Sequence, residues 1–183
     1  MPKKPQVLAR RIEARSQLFA IESLDLRFQN GEQRRYERLL GGSMPAVLVV
    51  PVLNDGRIML IREYGAGVDD YELALPKGRV EAGEDMLEAA NRELMEEIGF
   101  SAAKLVSLKV LSQSPGYMQH KTEVVLAQQL TEATAEGDEP EPIECVPVHR
   151  KDIHNLILND NLSEARSIAA LYLAFAYLDN QAS

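Results

Sequence analysis

Hydrophobic and polar positions alternate near the start of the chain and then give way to a continuous apolar run. Short strand-like pieces are predicted at residues 7–8, 18–28 and 34–40. The dipeptide Asn30-Gly31 between the last two is a typical hairpin turn. Residues 46–53 are almost entirely apolar, which is typical of a strand buried on both faces. The pattern therefore predicts an N-terminal antiparallel β appendage over residues 1–42 and a main domain over residues 43–183.

The main domain alternates further strand patterns with helical ones. Strands are predicted at residues 57–64, 71–76, 105–111, 123–130 and 145–148. Apolar residues at helical spacing predict helices at residues 84–98, 151–158 and 163–178, the last with Ser163-Glu164 as its cap. This alternation indicates the α/β fold class.

The first predicted helix carries a cluster of carboxylates beside its apolar stripe. At about 100° per residue, Glu93, Glu96 and Glu97 fall within about a third of the helix circumference. Like charges at these spacings cost about 0.2–0.5 kcal/mol per pair on a solvated helix. Oxygen ligands so spaced suit a hard divalent cation, best Mg²⁺, which keeps waters that a phosphate can displace. A solvated acidic helix face is the alternative interpretation.

A glycine-bounded loop leads into this helix. Gly78 and Gly83 bracket a turn that brings the backbone close to the carboxylates, and Lys77 offers a carbonyl at its entry. From Gly78 to Phe100 the chain has the pattern G-x5-E-x7-R-E-L-x-E-E-x-G-F. The pattern matches the signature of the Nudix hydrolases at every fixed position, so the chain resembles that family.

The resemblance implies a fold, a reaction and a set of roles. The fold is the Nudix α/β/α sandwich, with a mixed sheet between helices, and the reaction is hydrolysis of a nucleoside diphosphate linked to another moiety. Glu93 and Glu97 are the expected ligands of Mg²⁺, or of Mn²⁺ in its place. The remaining expected participants are Glu96 as a ligand or its partner, the Lys77 carbonyl as a further ligand, and Gly78, Glu84 and Arg92 as orienting residues.

Two later segments look like the ADP-ribose pyrophosphatase branch of the family. Pro115 lies fifteen residues beyond Phe100, which is similar to the proline spacing of that branch, so Ser114, Pro115 and Gly116 are expected to line the substrate pocket. Residues 135–144 form an acidic loop kept extended by its prolines. By the same likeness Glu139 and Glu141 occupy the positions where one glutamate is expected to act as the base or to orient water and another, assigned to Glu141, to reach a metal. A solvated disordered tract is the alternative.

Arginines supply the remaining substrate contacts in this interpretation. Arg35 and Arg38 lie in a basic strand of the appendage, where they either blunt an exposed edge or reach the substrate across a homodimer, as the branch implies. Gly65 and Ala74 stand where that branch commonly has arginine and glutamate. Arg62 and Lys77 are therefore the candidates for the diphosphate clamp, with solvated strand and loop charges as the alternative interpretation. Arg79 is also assigned to substrate binding.

Composition limits the partners and the compartment. The chain has 28 acidic and 20 basic residues, a net charge of −8, which argues against nucleic-acid and anionic-membrane binding. Its only cysteine, Cys145, excludes an internal disulfide and is expected to be a buried small hydrophobe. The first residues lack the apolar run of a signal peptide, and the last helix is too short to span a membrane. A cytoplasmic protein is expected.

The favoured function is Mg²⁺-dependent hydrolysis of ADP-linked compounds with release of AMP. ADP-ribose is the first candidate substrate, followed by NADH and diadenosine polyphosphates. The basis is resemblance to bacterial ADP-compound hydrolases over residues 15–178. The alternatives are a Nudix diphosphatase of nucleoside triphosphates or sugar nucleotides, and a non-catalytic domain that senses ADP-ribose.

Overall fold

A computed structural model describes residues 3–41, 45–137, 140–159 and 162–181. The described residues form ten strands and three helices, which are β1 Gln6–Arg15, β2 Phe19–Arg27, β3 Gln33–Gly41, β4 Ala46–Pro51, β5 Arg57–Gly65, β6 Asp70–Ala74, β7 Lys77–Arg79, α1 Met86–Glu97, β8 Phe100–Gln113, β9 His120–Glu132, β10 Glu144–His149, α2 Arg150–Leu158 and α3 Ala165–Gln181. They belong to two compact units. Unit 1 is the chain up to Pro45 together with Ser112–Lys121, and unit 2 is Ala46–Leu111 with Thr122 onward.

Unit 1 contains a three-stranded antiparallel sheet in the order β1-β2-β3. The β2–β3 turn falls at Asn30-Gly31, where Gly31 adopts φ 84°, so the predicted hairpin is confirmed. β1 is much longer than the predicted residues 7–8. Almost all of this strand is exposed, so its sequence lacks the alternation of apolar and polar residues from which a strand can be predicted. The N–H of Leu39 also donates to the carbonyl of Tyr117 at 2.7 Å, which joins β3 to the second segment of the unit.

Unit 2 is built around β4. The sheet has the order β7-β4-β9-β8, with β4 parallel to β9 and antiparallel to β7, and a second, antiparallel sheet has the order β10-β5-β6. Val47 and Val49 pack into the core on the α1 side, whereas Leu48 and Val50 pack into the core that includes α3. The predicted mixed sheet between helices is therefore confirmed, and β4 is buried on both faces as its apolar run indicated.

α1 begins at Met86, two residues later than predicted, because Asp85 caps it. The Asp85 carboxylate accepts the Leu87 N–H at 2.8 Å, and Glu88 reaches back to the Asp85 N–H at 3.4 Å in a capping box. Beyond the other end, Gly99 adopts φ 72°, the left-handed conformation that commonly follows a helix.

α3 is capped by Glu164, the second residue of its predicted Ser163-Glu164 cap. The helix begins at Ala165, and the Glu164 carboxylate accepts the Ser167 N–H at 2.7 Å. The Ser163 hydroxyl instead donates to Glu72 at 2.9 Å. No helix in the described part of the chain is both long enough and apolar enough to cross a membrane.

The prediction that Cys145 is buried is wrong. Its strand, β10, is at the edge of its sheet, which leaves most of its side chains accessible, and Cys145 is exposed. Its Sγ lies 3.8 Å from the Glu97 carbonyl oxygen. Although the residue as a whole is exposed, its sulfur is partly shielded from water, and this desolvation, with the nearby Glu97 charge, raises the pKa of the Cys145 thiol. The thiol is therefore a weaker nucleophile at neutral pH.

Candidate active site

The three α1 glutamates lie together on one cleft of unit 2. Glu93 and Glu97 are one helical turn apart and each only 8% exposed. With Glu96 they line a cleft of about 320 Å³. The opposite wall is the acidic loop, with Gly137, Pro140, Glu141, Pro142 and Ile143. Carboxylates from a helix and from a loop remote in sequence therefore face the same space.

Gly78 allows the loop to approach the helix closely. A Cβ at this position would lie 1.9 Å from Oε1 of Glu93 and 2.2 Å from Oε2. No side chain fits at such a distance, so the Glu93 carboxylate lies directly against the Gly78 backbone. The glycine at the start of the signature is thus explained by contact rather than by a special backbone angle.

Arg92 holds the carboxylates in place. Its Nε and Nη2 donate to both oxygens of Glu84 at 2.9 and 3.2 Å, and its Nη1 donates to Glu93 at 2.9 Å and to Glu96 at 2.7 Å. Nη2 also donates to the Arg79 carbonyl at 2.9 Å. Hydrogen bonding to Glu84 is the main reason that the pKa of Arg92 is raised, and the same bond lowers the pKa of Glu84. One guanidinium therefore links the loop to three carboxylates.

Glu97 is bound from the other side by Lys77. The Lys77 N–H donates to Oε2 of Glu97 at 3.0 Å. Burial raises the pKa of Glu97 to about 8, with Glu93 and Glu63 adding to the effect and the charge and N–H of Lys77 opposing it. A carboxylate so buried takes up a proton at neutral pH unless further positive charge is brought near.

The acidic loop reaches the cleft through Glu141. The Tyr71 hydroxyl donates to Oε1 of Glu141, and this hydrogen bond raises the pKa of Tyr71. Tyr71 lies on β6, 70 residues away in sequence, so no local pattern could have indicated the contact. The other predicted loop residue, Glu139, lies outside the described residues.

The two clamp candidates of unit 2, Lys77 and Arg62, each contact a carboxylate. The Lys77 ammonium pairs with Glu63, a contact that the sequence gave no reason to expect. Nε of Arg62 donates to Glu144 at 3.1 Å. The Arg79 side chain is exposed, and the contact described for this residue is the one made by its carbonyl.

The predicted arginines of unit 1 lie on opposite faces of their sheet. Nε of Arg38 donates to the buried Glu22 at 2.7 Å. Nε of Arg35 donates to Asp25 at 2.8 Å, and hydrogen bonds from Arg35 and Arg11 lower the pKa of Asp25. Both arginines therefore have acidic partners within one chain.

Arg38 shares a pocket of about 340 Å³ with the proline loop of the same unit. The pocket is lined by Arg38, Tyr36, Pro115, Gly116 and Tyr117 among others. Ser114 adopts φ 46°, and its carbonyl accepts the Tyr117 N–H at 3.0 Å. Ser114 thus shapes the loop, while its two neighbours line the pocket.

The cleft of unit 2 has donors that suit a metal ion. Within the described ranges, no three His, Cys, Asp or Glu side chains are grouped as a ready-made coordination sphere. Arg92 and Lys77 instead engage oxygens of Glu93, Glu96 and Glu97. The donor set is nonetheless entirely oxygen, and the raised pKa of Glu97 reflects a need for nearby positive charge. Both properties fit a hard divalent cation.

Comparison with known proteins identifies the class. A model described as the NUDIX domain matches residues 42–171, and one described as the NudE-type Nudix hydrolase N-terminal domain matches residues 5–38. The chain therefore belongs to the Nudix hydrolase family, whose members generally use divalent metal ions. The expectation drawn from the 78–100 signature is confirmed.

Within this family the chain is similar along its whole length to enzymes of the ADP-compound branch. It is 44% identical over 178 residues to the ADP compounds hydrolase NudE of Escherichia coli (strain K12), covering 97% of this chain and 95% of that protein. It is 28% identical over 163 residues to an ADP-ribose pyrophosphatase of Bacillus subtilis (strain 168), covering 86% and 88%. A crystal structure of an ADP compounds hydrolase matches with a TM-score of 0.92 at 43% identity, covering 99% and 97%.

Proposed function

We propose that this protein hydrolyses the diphosphate bond of ADP-linked compounds, releasing AMP, with Mg²⁺ in the cleft of unit 2. ADP-ribose, NADH and diadenosine polyphosphates are the proposed substrates. The observation that carries the proposal is the meeting of Glu93, Glu96, Glu97 and Glu141 on one cleft, in a chain similar throughout to an ADP compounds hydrolase. Mn²⁺ is the proposed substitute for Mg²⁺ because it takes the same oxygen ligands.

The residues of α1 and its loop prepare the binding surface. Glu93 and Glu97 would hold the cation, with Glu96 and the Lys77 carbonyl as further candidates. When bound, Mg²⁺ supplies positive charge that offsets the diphosphate and lowers the pKa of a bound water. Arg92 keeps Glu93 and Glu96 oriented through its hydrogen bonds, and the Gly78 backbone fixes the position of the Glu93 carboxylate. Preset donors of this kind avoid reorganisation during the reaction.

The acidic loop supplies the proposed base. Oε1 of Glu141 already accepts a hydrogen bond from Tyr71, which holds the carboxylate at the cleft wall. In the proposed reaction Glu141 accepts the proton of the attacking water, and Glu139 is the alternative base from the same loop. The positive charges of Lys77, Arg62 and Arg79 are the proposed contacts of unit 2 with the diphosphate.

Product analysis with purified protein tests the proposal. ADP-ribose with Mg²⁺ is expected to give AMP and ribose 5-phosphate, and Glu97→Gln is expected to lower kcat at least about 100-fold. Glu88→Gln is the matched control, since Glu88 lies on the same helix but contributes to its capping box, a role that glutamine also fills. A Glu97→Gln protein with full turnover would contradict the catalytic assignment.

The same assay separates the alternatives. A higher kcat/KM for nucleoside triphosphates or sugar nucleotides than for any ADP-linked compound would favour the alternative enzyme, a Nudix diphosphatase of those nucleotides. Tight binding of ADP-ribose without turnover in Mg²⁺ or Mn²⁺ would favour a sensing domain. Loss of activity in a Glu139→Ala and Glu141→Ala double variant, with ADP-ribose affinity retained, is expected if the loop provides the base.

We also propose a homodimer formed through unit 1, and a cytoplasmic location. Leu18, in the bend before β2, and Phe19 and Ile21 of β2 are exposed at one end of the three-stranded sheet, and they form an apolar surface suited to a second copy. Under this proposal Arg35, Arg38 and the loop of Ser114, Pro115 and Gly116 contact the substrate. The cytoplasm is consistent with a chain whose single cysteine cannot form an internal disulfide.

A further inference from the structure

Two tyrosines lie beside the active-site cleft, and the mechanism above uses only the hydroxyl of one of them, Tyr71, so both aromatic rings are left without a role. Tyr64 on β5 and Tyr71 on β6 are cross-strand partners, with ring centroids 5.7 Å apart in an edge-on arrangement. They are 46% and 49% exposed, so much of each ring is accessible. A pair of aromatic rings presented in this way offers flat apolar surface together with polar edges.

The rings line a pocket of about 290 Å³. Its other walls are residues of the acidic loop and the ends of two strands, namely Arg62, Glu63, Pro140, Glu141, Pro142, Ile143 and Glu144. Concave sites with aromatic and apolar walls and a few fixed polar groups are typical of small-molecule binding. The guanidinium of Arg62 adds a planar cation that stacks well on aromatic rings.

This pocket adjoins the cleft that contains the α1 glutamates. Pro140, Glu141, Pro142 and Ile143 line both, so one loop forms the wall between them. A second connection runs through Glu63, which lines the tyrosine pocket and pairs with Lys77, whose N–H donates to Glu97. A substrate whose diphosphate lies beside Glu97 would therefore have the tyrosine pocket on one side.

We infer that the Tyr64–Tyr71 pocket binds a planar heteroaromatic base on the far half of the substrate, the half released together with AMP. The inference rests on the proposed function and narrows its substrate class. ADP-linked dinucleotides, which carry a second base, fill the pocket, whereas the far half of ADP-ribose is a ribose without a base to place there. The protein is thereby selective for dinucleotides.

A purely structural role is the competing explanation, because cross-strand aromatic pairs also stabilise hairpins. The two roles differ in their consequences. A packing role affects folding and all substrates alike, whereas a base-binding role affects only those substrates that carry the second base. The Tyr64 hydroxyl donates to Asp69 at 2.6 Å, away from the catalytic groups, so Tyr64 is the better position to change.

The test compares kcat/KM for NADH, diadenosine diphosphate and ADP-ribose in Tyr64→Leu, with Tyr64→Phe retaining the ring. Stacking of a base on one aromatic side chain corresponds to about tenfold or more in affinity. Tyr64→Leu is expected to lower kcat/KM about tenfold for both dinucleotides and less than about twofold for ADP-ribose. Tyr64→Phe is expected to retain the preference. Tyr172→Leu is the control, a tyrosine on α3 that is 50% exposed.

A binding measurement keeps this inference separate from the catalytic proposal. Calorimetry measures the affinity of the protein for nicotinamide mononucleotide and for ribose 5-phosphate, and this measurement does not depend on turnover. Wild type is expected to bind the mononucleotide more tightly, and Tyr64→Leu to lose that difference. Three results would overturn the inference. They are an equal loss of kcat/KM for all three substrates in Tyr64→Leu, a fall in the Tm of this variant with its substrate preference unchanged, and equal affinity of the wild type for nicotinamide mononucleotide and ribose 5-phosphate. Failure of wild type to cleave any ADP-linked compound would instead overturn the proposed function.

Discussion

Among the described glycines, Gly78 has the least room for a side chain. Gly78→Ala would place a methyl group within about 2 Å of the Glu93 carboxylate. Either the loop or the carboxylate must then move, and a shift of about 1 Å in a reacting group costs about 100-fold in rate. We expect kcat/KM for ADP-ribose to fall by about that factor, measured by AMP release.

Gly67→Ala is the matched control for that substitution. A Cβ at Gly67 meets no atom within 4 Å, and the residue needs no left-handed backbone. This variant is expected to keep wild-type kcat/KM. Full activity in Gly78→Ala would mean that the Glu93 position seen here is unimportant for the reaction.

Contacts between residues close in sequence could be predicted, whereas contacts between distant residues could not. The carboxylates of α1 could be placed together because residues three and four apart share a helix face. Their partner Arg92 belongs to the same signature and was expected to orient them, whereas the hydrogen bond from the Lys77 N–H to Glu97 was not expected. The Glu63–Lys77 and Tyr71–Glu141 contacts join residues 14 and 70 apart. These contacts depend on strand pairing, which one sequence does not determine.

At the scale of elements, α1 should respond to the metal. Anything that binds the folded protein alone adds to its stability, by about 2.7 kcal/mol at 100 times the dissociation constant. Thermal unfolding in Mg²⁺ is therefore expected to occur several degrees higher than in NaCl of equal ionic strength. Glu97→Gln should remove most of this increase, and Glu88→Gln should keep it. An equal Mg²⁺ effect in both variants would contradict the assignment of Glu97 as a ligand.

The cap of α3 gives a pH-dependent prediction. Burial favours the neutral form of Glu164, but hydrogen bonds from Arg166 and Ser167 outweigh it, so its pKa is lowered below 4.5 in the folded state. The charged form thus stabilises the fold above pH 4.5, and this contribution is lost as the pH falls through the folded pKa. Glu164→Gln should lower the free energy of unfolding by about 1 kcal/mol at pH 7.

Urea unfolding at several pH values measures that difference. The gap between wild type and Glu164→Gln should be constant from pH 7 to about pH 5.5 and shrink below pH 4.5. Glu132→Gln, at the exposed end of β9, serves as the control and should show no such gap. A gap that widens in acid would have the wrong sign for a lowered pKa.

Elements were predicted well where the hydrophobic pattern was strong. β4 and the β2–β3 hairpin were found because an apolar run and an Asn-Gly turn are distinctive local signals. β1 was mostly missed because both of its faces carry charged residues, and the three-residue β7 is too short for any period. The starts of α1 and α3 were off by two residues because Asp85 and Glu164 cap them.

For the whole molecule, the apolar surface of unit 1 predicts self-association. Phe19→Lys with Ile21→Lys places charge on that surface. Wild type is expected to sediment at twice the mass of one chain and the double variant at the mass of one. Val68→Lys with Val110→Lys, which alters two valines of unit 2 that are more exposed than Phe19 and Ile21, should leave the mass unchanged. A monomeric wild-type protein would rule out the dimer.

The route of the chain through the two units affects how this architecture can change in evolution. The backbone passes from one unit to the other three times, at residues 45–46, 111–112 and 121–122. The Leu39–Tyr117 hydrogen bond ties the first forty residues to a segment that begins some seventy positions later. Recombination at a single joint therefore cannot exchange unit 1 intact, because the transferred piece would arrive without residues 112–121. The two units are expected to be inherited together as one continuous block.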